Sequence, residues 1–319
     1  MSNPSFLLWP NDRKDARSAN RASRLTSVDF YRGLAILAMV VYHAIWDLNY
    51  YRLVEVGIGI DPLWIAIQRG ILTAFLLLAG AGLTLAHGKG IGWRGFWRRE
   101  AILVVAALGV SIVTWFQFGE YFAYFGVLHA IALFSLMALP FIGAPLWAGI
   151  GTAIAFLFLP AVFSADLFNA RSFAWIGFFT DTPETADLVP VFPWFGVMLI
   201  GVLGMRVLRV APAFTWQSVN IGVRALARIG RWSLVIYLVH QPLLFGIITP
   251  IANWVSQSET ARLEGFLQSC RASCAPNGTA AFCTAYCACA LDVTVRDQLW
   301  DAKAEELQGM VKLCTEMAK

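Results

Sequence analysis

The chain has 319 residues, of which 58% are hydrophobic and only 14% are charged, and its net charge is +4. Soluble domains carry about 25% charged residues, so this composition excludes a water-soluble globular fold. Lipid must be the solvent for most of the chain, and its long unbroken apolar runs favour helices over an all-β membrane fold.

The first segment, residues 1–28, is polar and basic, with five cationic side chains at Arg13, Lys14, Arg17, Arg21 and Arg24. We expect no cleavable signal peptide here, because no apolar stretch of useful length precedes Phe30. The hydrophobic segment that follows is therefore predicted to be an uncleaved signal anchor.

Seven apolar segments have about the length that a membrane-spanning helix needs. They cover Phe30–Leu48, Leu63–Ala86, Ala101–Phe118, Gly126–Ile142, Leu146–Phe163, Val191–Leu208 and Trp232–Asn253. Gly143-Ala144-Pro145 predicts a tight turn between the fourth and fifth segments. The sequence thus predicts an all-α, polytopic membrane helix bundle over residues 29–254.

Arginine and lysine residues lie mostly on one side of this predicted bundle. The N-terminus, the loop after the second segment and the loop before the seventh are rich in them, whereas Gly119–Phe125 has none. The positive-inside rule then predicts a cytoplasmic N-terminus, and seven spans place the C-terminus outside. The location expected for a multi-span protein with this topology is a bacterial inner membrane.

Residues 255–319 form a polar tail that contains every cysteine of the chain: Cys270, Cys274, Cys283, Cys287, Cys289 and Cys314. Their absence from the spans and cytoplasmic loops fits an oxidising, periplasmic compartment. Two C-x3-C pairs each place two sulfurs on one helix face, with a turn signal between the pairs. The simplest arrangement is a helical hairpin with Cys270–Cys287 and Cys274–Cys283 disulfides, and a Cys289–Cys314 bridge is possible. A zinc site is the rival interpretation.

The first span contains the most informative polar residues, because ionisable groups inside a membrane are costly and tend to be functional. Arg32 and His43 are eleven residues apart, which places them on one helix face about 16 Å apart along the axis. Asp47 lies one turn beyond His43. Its carboxylate is predicted to orient the imidazole, as in catalytic triads.

Other spans contribute further polar residues. His129 begins the fourth span, and His240 lies in the seventh. His87 ends the second span and is expected to be an interface residue. Arg69 in the second span needs a partner, for which Asp47 and Glu120 are candidates. Each lone histidine has the alternative role of bonding a backbone carbonyl.

Four segments in order resemble the catalytic domain of the heparan-alpha-glucosaminide N-acetyltransferase family. They are Arg24–Tyr50, with VDFYRGLAI and HAIWDL, then Phe125–Ile131, Asp187–Gly196 and Gly230–Pro242. The resemblance covers about residues 24–253 and not the tail. The Arg-x10-His element also recurs in the wider integral-membrane acyltransferase superfamily.

This resemblance implies transfer of an acyl group from a cytoplasmic thioester, acetyl-coenzyme A, to an acceptor such as an envelope glycan or amino sugar. It implies a catalytic role for His43, as general base or acyl carrier, with Asp47 and Arg32 in support. The residues expected to bind the acceptor are His129, Asp187, Trp194 and His240. The residues expected to bind the cofactor phosphates are Arg94, Arg98, Arg99 and Arg231. The same arginines also satisfy the positive-inside rule without any ligand.

Other functions remain open at this point. A proton-coupled transporter also needs intramembrane Arg, His and Asp, although no internal repeat is visible. A b-type haem protein would use two of His43, His129 and His240 as axial ligands. The tail could be an envelope-binding module. The expected partners are membrane lipids, acyl-CoA and an envelope acceptor rather than nucleic acid, with no resident metal, and a homo-oligomer is possible.

Overall fold

A computed structural model of the chain describes residues 26–88, 90–208, 220–302 and 304–318, without the side chains of residues 257, 301 and 304–306. Within these ranges the chain forms α-helices and short 3-10 helices, with one isolated β-bridge between Phe125 and Leu188. The all-α fold class is confirmed. The basic N-terminal residues, Lys89 and Arg209 lie outside the described residues.

Two compact units divide the chain between Leu243 and Leu244. The sequence analysis predicted a boundary after residue 254, at the end of the seventh apolar segment. The helix that contains both positions continues from Ser233 to Cys274 without interruption, so the end of apolarity does not coincide with the end of this helix.

The first unit consists of helices, the last of which continues into the second unit. We number them α1 to α9: Thr26–Tyr50, Pro62–His87, Trp93–Phe118, Val127–Ala138, Leu146–Phe158, Arg171–Ala174, Val191–Leu208, Ile221–Arg231 and Ser233–Cys274. The start of α2 shows why the boundaries fall where they do: Pro62 occupies the first turn, and the Asp61 carboxylate accepts a hydrogen bond from the Leu63 N–H at 2.8 Å.

Five of these helices are long and apolar enough to cross a membrane: α1, α2, α3 with its 3-10 extension to Tyr121, α7 and α9. Two shorter apolar helices, Val127–Ile142 and Leu146–Ala161, coincide with the predicted fourth and fifth spans. Every predicted apolar segment therefore corresponds to an apolar helix. That all seven cross the membrane stays a prediction.

Glycines allow the helices of the first unit to pack backbone against backbone. A Cβ on Gly80 of α2 would clash with the carbonyl oxygen of Met198 in α7, and one on Gly201 would clash with that of Leu77. A Cβ on Gly33 of α1 would likewise meet the carbonyl of Leu226 in α8. Small residues at such contacts allow membrane helices to approach closely. These glycines therefore allow α7 to pack against α2 and α8 to pack against α1.

The second unit contains α10, Ala280–Arg296, and α11, Ala304–Met317, besides the last part of α9. Disulfides join Cys270 to Cys287, Cys274 to Cys283 and Cys289 to Cys314. A small core of Ala290, Val293, Cys314 and Phe266 accompanies them. Because this core is small, the disulfides supply much of what holds the unit together.

Asp187 lies in the long loop between α5 and α7, where the sequence predicted an acceptor-binding residue. Its Oδ2 accepts a hydrogen bond from the Val127 N–H at 2.9 Å, at the first residue of α4. Gly126 makes room for this carboxylate, because a Cβ there would clash with it. In this structure Asp187 caps α4, and burial raises the pKa of Asp187 to about 6 against the opposing effect of the Val127 N–H.

We expect Gly80→Ala to lower the thermal melting temperature in detergent, because the new methyl group would push α2 away from the α7 backbone. Gly70→Ala is the matched control on the same helix, since nothing lies within 4 Å of its added Cβ. Alanine is a better helix former than glycine by about 1 kcal/mol, so the control should melt no lower than wild type. Equal melting temperatures for both variants would contradict this packing.

We expect Asp187→Ala to cost about 1 kcal/mol through loss of the cap, and Asp187→Asn to retain the acceptor oxygen and most of the stability. The folded pKa of Asp187 is raised from 3.8 to about 6, so folding favours its protonated form. Stability of wild type relative to Asp187→Asn should therefore fall as pH rises from about 4 to about 6. Melting curves across this range check the prediction, and a constant difference would contradict it.

Candidate active site

Two histidines from distant parts of the chain meet inside the first unit. His43 of α1 and His240 of α9 have ring centroids 4.9 Å apart, with an angle of 82° between the ring planes. His240 is buried and His43 is partly buried. The sequence singled out each of these residues, and the structure shows that they form one site.

Backbone carbonyls fix both imidazoles in the same way. Nδ1 of His43 lies 2.9 Å from the Met39 carbonyl oxygen, and Nδ1 of His240 lies 2.6 Å from the Tyr237 carbonyl oxygen. In the neutral ring each Nδ1 must then be the N–H donor, which leaves the lone pair on Nε2. Nε2 of His240 is buried and has no hydrogen-bond partner among the described residues. The two neutral rings would therefore share one tautomer, with the lone pair of each on Nε2.

Asp47 is completely buried, and its contact differs from the predicted one. Oδ1 of Asp47 accepts a hydrogen bond from Nε2 of Gln241 at 2.7 Å. The ring of His43 is oriented by the Met39 carbonyl instead, because an i to i−4 contact on the same helix reaches Nδ1 directly. Gln241 was not predicted, although its position directly after His240 was a usable signal.

Arg32, the third predicted catalytic residue, lies toward the opposite end of α1 from His43. It forms a 3.5 Å ion pair with Asp29, and its Nη2 donates to the Leu78 carbonyl of α2 at 3.4 Å. The eleven residues between Arg32 and His43 correspond to about 16 Å along the axis, so the two side chains do not share one reaction centre.

A cavity of about 710 Å³ opens where α2 ends and α3 begins. Its lining includes three glycines together with His87, Trp93, Arg94 and Arg99. Nδ1 of the buried His87 and Nη1 of Arg99 have no hydrogen-bond partners within the described parts of the chain. Of the four arginines predicted to bind the cofactor, Arg94 and Arg99 line this cavity. Arg98 of α3 and Arg231 at the end of α8 are exposed.

A second cavity of about 440 Å³ lies after the C-terminal end of α1. Its lining is polar and includes Asn49, Arg52 and Glu55. Asn49 also holds this loop, because its side-chain oxygen accepts a hydrogen bond from the Val56 N–H. The two cavities therefore lie beyond the two ends of α1, with His43 in the helix between them.

The remaining predicted acceptor residues, His129 and Trp194, have contacts of their own. Nε2 of His129 is 3.4 Å from the Ser111 hydroxyl of α3, and its ring stacks on Phe125 at 6.0 Å. Trp194 is partly buried in the first turns of α7 against the main hydrophobic core. The predicted partners of Arg69 are engaged elsewhere: Asp47 bonds Gln241, and Glu120 forms a 3.5 Å ion pair with Arg171.

The arrangement of His43 and His240 does not fit a haem held between these two rings. A haem lies between its two axial imidazoles, whereas the rings of His43 and His240 touch edge to face. These two side chains, as they are arranged, leave no space for a porphyrin between them. Among the described residues no group of three or more His, Cys, Asp or Glu side chains is arranged to hold a metal ion.

Comparison with known proteins agrees with the resemblance seen in the sequence. The family model described as "Heparan-alpha-glucosaminide N-acetyltransferase, catalytic" matches residues 24–242, which include His43, Asp47, His240 and Gln241 but not the disulfide-linked tail. No curated protein and no solved structure matches the chain. The chain belongs to the heparan-alpha-glucosaminide N-acetyltransferase catalytic family, whose name denotes acetyl transfer, and its apolar helices make it a membrane member of that family.

Proposed function

We propose that the protein transfers an acetyl group from acetyl-coenzyme A to an amine or hydroxyl of an envelope glycan or amino sugar. The observation that carries this proposal is the histidine pair inside the family-matched region. Nδ1 of His43 is held by the Met39 carbonyl, so its Nε2 is available as a base. General bases of this kind contribute about 10²–10⁴ to a rate.

In the proposed reaction the acceptor nitrogen or oxygen attacks the carbonyl carbon of the thioester. Nε2 of His43 takes the proton that the acceptor loses, the carbon–sulfur bond breaks, and the proton passes to the departing sulfur. The products are the acetylated acceptor and free coenzyme A. His240 supports His43, because its edge-to-face contact holds the imidazole in place.

The cavity between α2 and α3 is the proposed binding site of the donor's nucleotide end. Arg94 and Arg99 supply positive charge, and the cavity lies at the start of α3, where a helix favours anions. The unpartnered Nη1 of Arg99 and Nδ1 of His87 fit a ligand rich in acceptor oxygens. Two charges act on Arg99: Glu100 offsets part of the positive potential at this end, and Arg32 adds to it.

The cavity beyond the C-terminal end of α1 is the proposed approach for the acceptor. The side chains of Asn49, Arg52 and Glu55 offer donors and acceptors for sugar hydroxyls or amines. Acceptor and donor would then reach His43 from opposite ends of the bundle. We further propose a bacterial inner membrane location with the donor cavity facing the cytoplasm and the tail facing the periplasm. The arginine distribution and the three disulfides both support this orientation.

We expect His43→Ala to lower the rate of thiol release from acetyl-coenzyme A by about 100-fold or more, because the reaction loses its base. The assay uses detergent-purified protein, acetyl-coenzyme A and an extract of envelope glycans, with free thiol as readout. Val41→Ala is the matched control on the exposed face of the same helix, and it should retain wild-type turnover.

Thiol release that survives His43→Ala would contradict the role of this histidine. If neither wild type nor variant released thiol or bound the donor, the acetyltransferase proposal would fail. A burst of thiol release without acceptor would show that His43 carries the acetyl group before transfer.

We expect Arg99→Gln to raise the KM for acetyl-coenzyme A about tenfold with little change in kcat, because one charge-assisted hydrogen bond to a phosphate is lost far from the reacting carbon. Arg224→Gln, on the exposed face of α8, is the control for general loss of positive charge. Equal effects of both substitutions would show that the cavity does not bind the donor.

A further inference from the structure

Two acceptor atoms of the Asp47–Gln241 pair are buried and unpartnered. Oδ1 of Asp47 accepts from Nε2 of Gln241 at 2.7 Å. Oδ2 of Asp47 and Oε1 of Gln241 are both enclosed, and neither has a hydrogen-bond partner within the described residues. An ionised carboxylate and an amide oxygen are both pure acceptors, so they cannot satisfy each other.

An ionised Asp47 would be costly at this position. The side chain is 0% exposed, and it lies in α1, one of the helices apolar enough to cross a membrane. No described ion pair includes it, and the predicted partner Arg69 is exposed on α2. A buried charge without a counterion normally takes up or loses a proton instead of remaining charged.

We propose that Asp47 is a neutral carboxylic acid that forms a cyclic pair with Gln241, and that this pair positions His43 against His240. The Gln241 amide donates to Oδ1, and the protonated Oδ2 donates to Oε1 of Gln241. One proton therefore satisfies both unpartnered oxygens. A carboxylic acid and a primary carboxamide each present one donor and one acceptor on the same edge, so the two planar groups are complementary.

The location of the pair explains why it controls the histidines. Asp47 lies one turn beyond His43 on α1, and Gln241 directly follows His240 on α9. Pro242 comes next, so α9 lacks one backbone N–H here, and the Leu238 carbonyl loses its usual helical donor. The Asp47–Gln241 hydrogen bond joins α1 to α9 next to this missing backbone hydrogen bond, and it sets the register of the two helices. The ring contact at 4.9 Å depends on that register.

Infrared spectroscopy tests the protonation directly. Full-length protein labelled with ¹³C-aspartate should show a protonated carboxyl band that shifts with the label and is absent from Asp47→Asn. This measurement requires no catalysis, so it stands even if the acetyl transfer proposed above fails. Loss of an ionised carboxylate band in Asp47→Asn, with no change in the protonated carboxyl region, would overturn the proposal.

Activity tests the positioning part, which rests on the proposed function. Asp47→Asn keeps one donor and one acceptor, so its kcat for thiol release should stay within about threefold of wild type. Asp47→Leu and Gln241→Leu have similar volume but no hydrogen bonds, and their kcat should fall about tenfold or more with little change in the KM for acetyl-coenzyme A.

Rescue by the conservative variant separates positioning from charge. If Asp47→Asn were as inactive as Asp47→Leu while both remained folded by size-exclusion chromatography, the carboxylate charge would be required and the neutral pair would be wrong. If Asp47→Leu did not fold, Asp47→Asn and Gln241→Glu would still decide the question. In Gln241→Glu, two neutral carboxylic acids would hydrogen-bond each other and activity should be retained. Two ionised carboxylates would repel each other and activity should be lost.

Discussion

The contact between α1 and α9 is the interaction on which the candidate site depends. Two polar side chains come from each helix and meet inside a largely apolar bundle: His43 and Asp47 from α1, and His240 and Gln241 from α9. Polar groups in such surroundings are stable only when they satisfy one another or a backbone group. Hydrogen bonds to carbonyls of their own helices and one cross-helix hydrogen bond satisfy part of these polar atoms, and the proton proposed for Asp47 would satisfy two more.

Under the proposed function, the bundle also separates the tasks that acetyl transfer requires. Arg94 and Arg99 line the cavity at the turn between α2 and α3, while Asn49, Arg52 and Glu55 lie after the C-terminal end of α1. Arg32 and His43 lie on one face of α1, but Arg32 is nearer the N-terminal end of this helix and His43 is nearer its C-terminal end. The close glycine contacts of α2 with α7 and of α1 with α8 hold the surrounding helices, so the site is built on packed elements and not on loops.

Local patterns predicted the helices and several of the site residues. Long apolar runs are sufficient to identify membrane helices, and all seven predicted segments are helical. His43, Asp47 and His240 were singled out because ionisable groups are rare in such runs. The hairpin expected from two C-x3-C pairs has the same Cys270–Cys287 and Cys274–Cys283 bridges in the structure, since antiparallel helices bring outer with outer and inner with inner.

Contacts between distant segments could not be predicted in the same way. The Gln241 partner of Asp47 is 194 residues away, and nothing in the spacing of α1 distinguishes that contact from an ion pair with Arg69. Asp187 was expected to bind the acceptor because of the family resemblance, and no local pattern indicated that its loop places the carboxylate at the start of α4. The contact of His43 with the Met39 carbonyl is local, and it is the alternative role that the sequence analysis gave to the histidines.

The most direct test asks whether the acetyl group reaches position 43. All six native cysteines are in disulfides, so a single new thiol can be followed without interference. His43→Cys should become acetylated when the full-length protein is incubated with acetyl-coenzyme A, detected as an acetyl mass increment on the peptide that contains position 43. Val41→Cys, on the exposed face of α1, should not. Equal labelling of both variants, or no labelling of His43→Cys, would contradict the placement of acetyl transfer at the histidine pair.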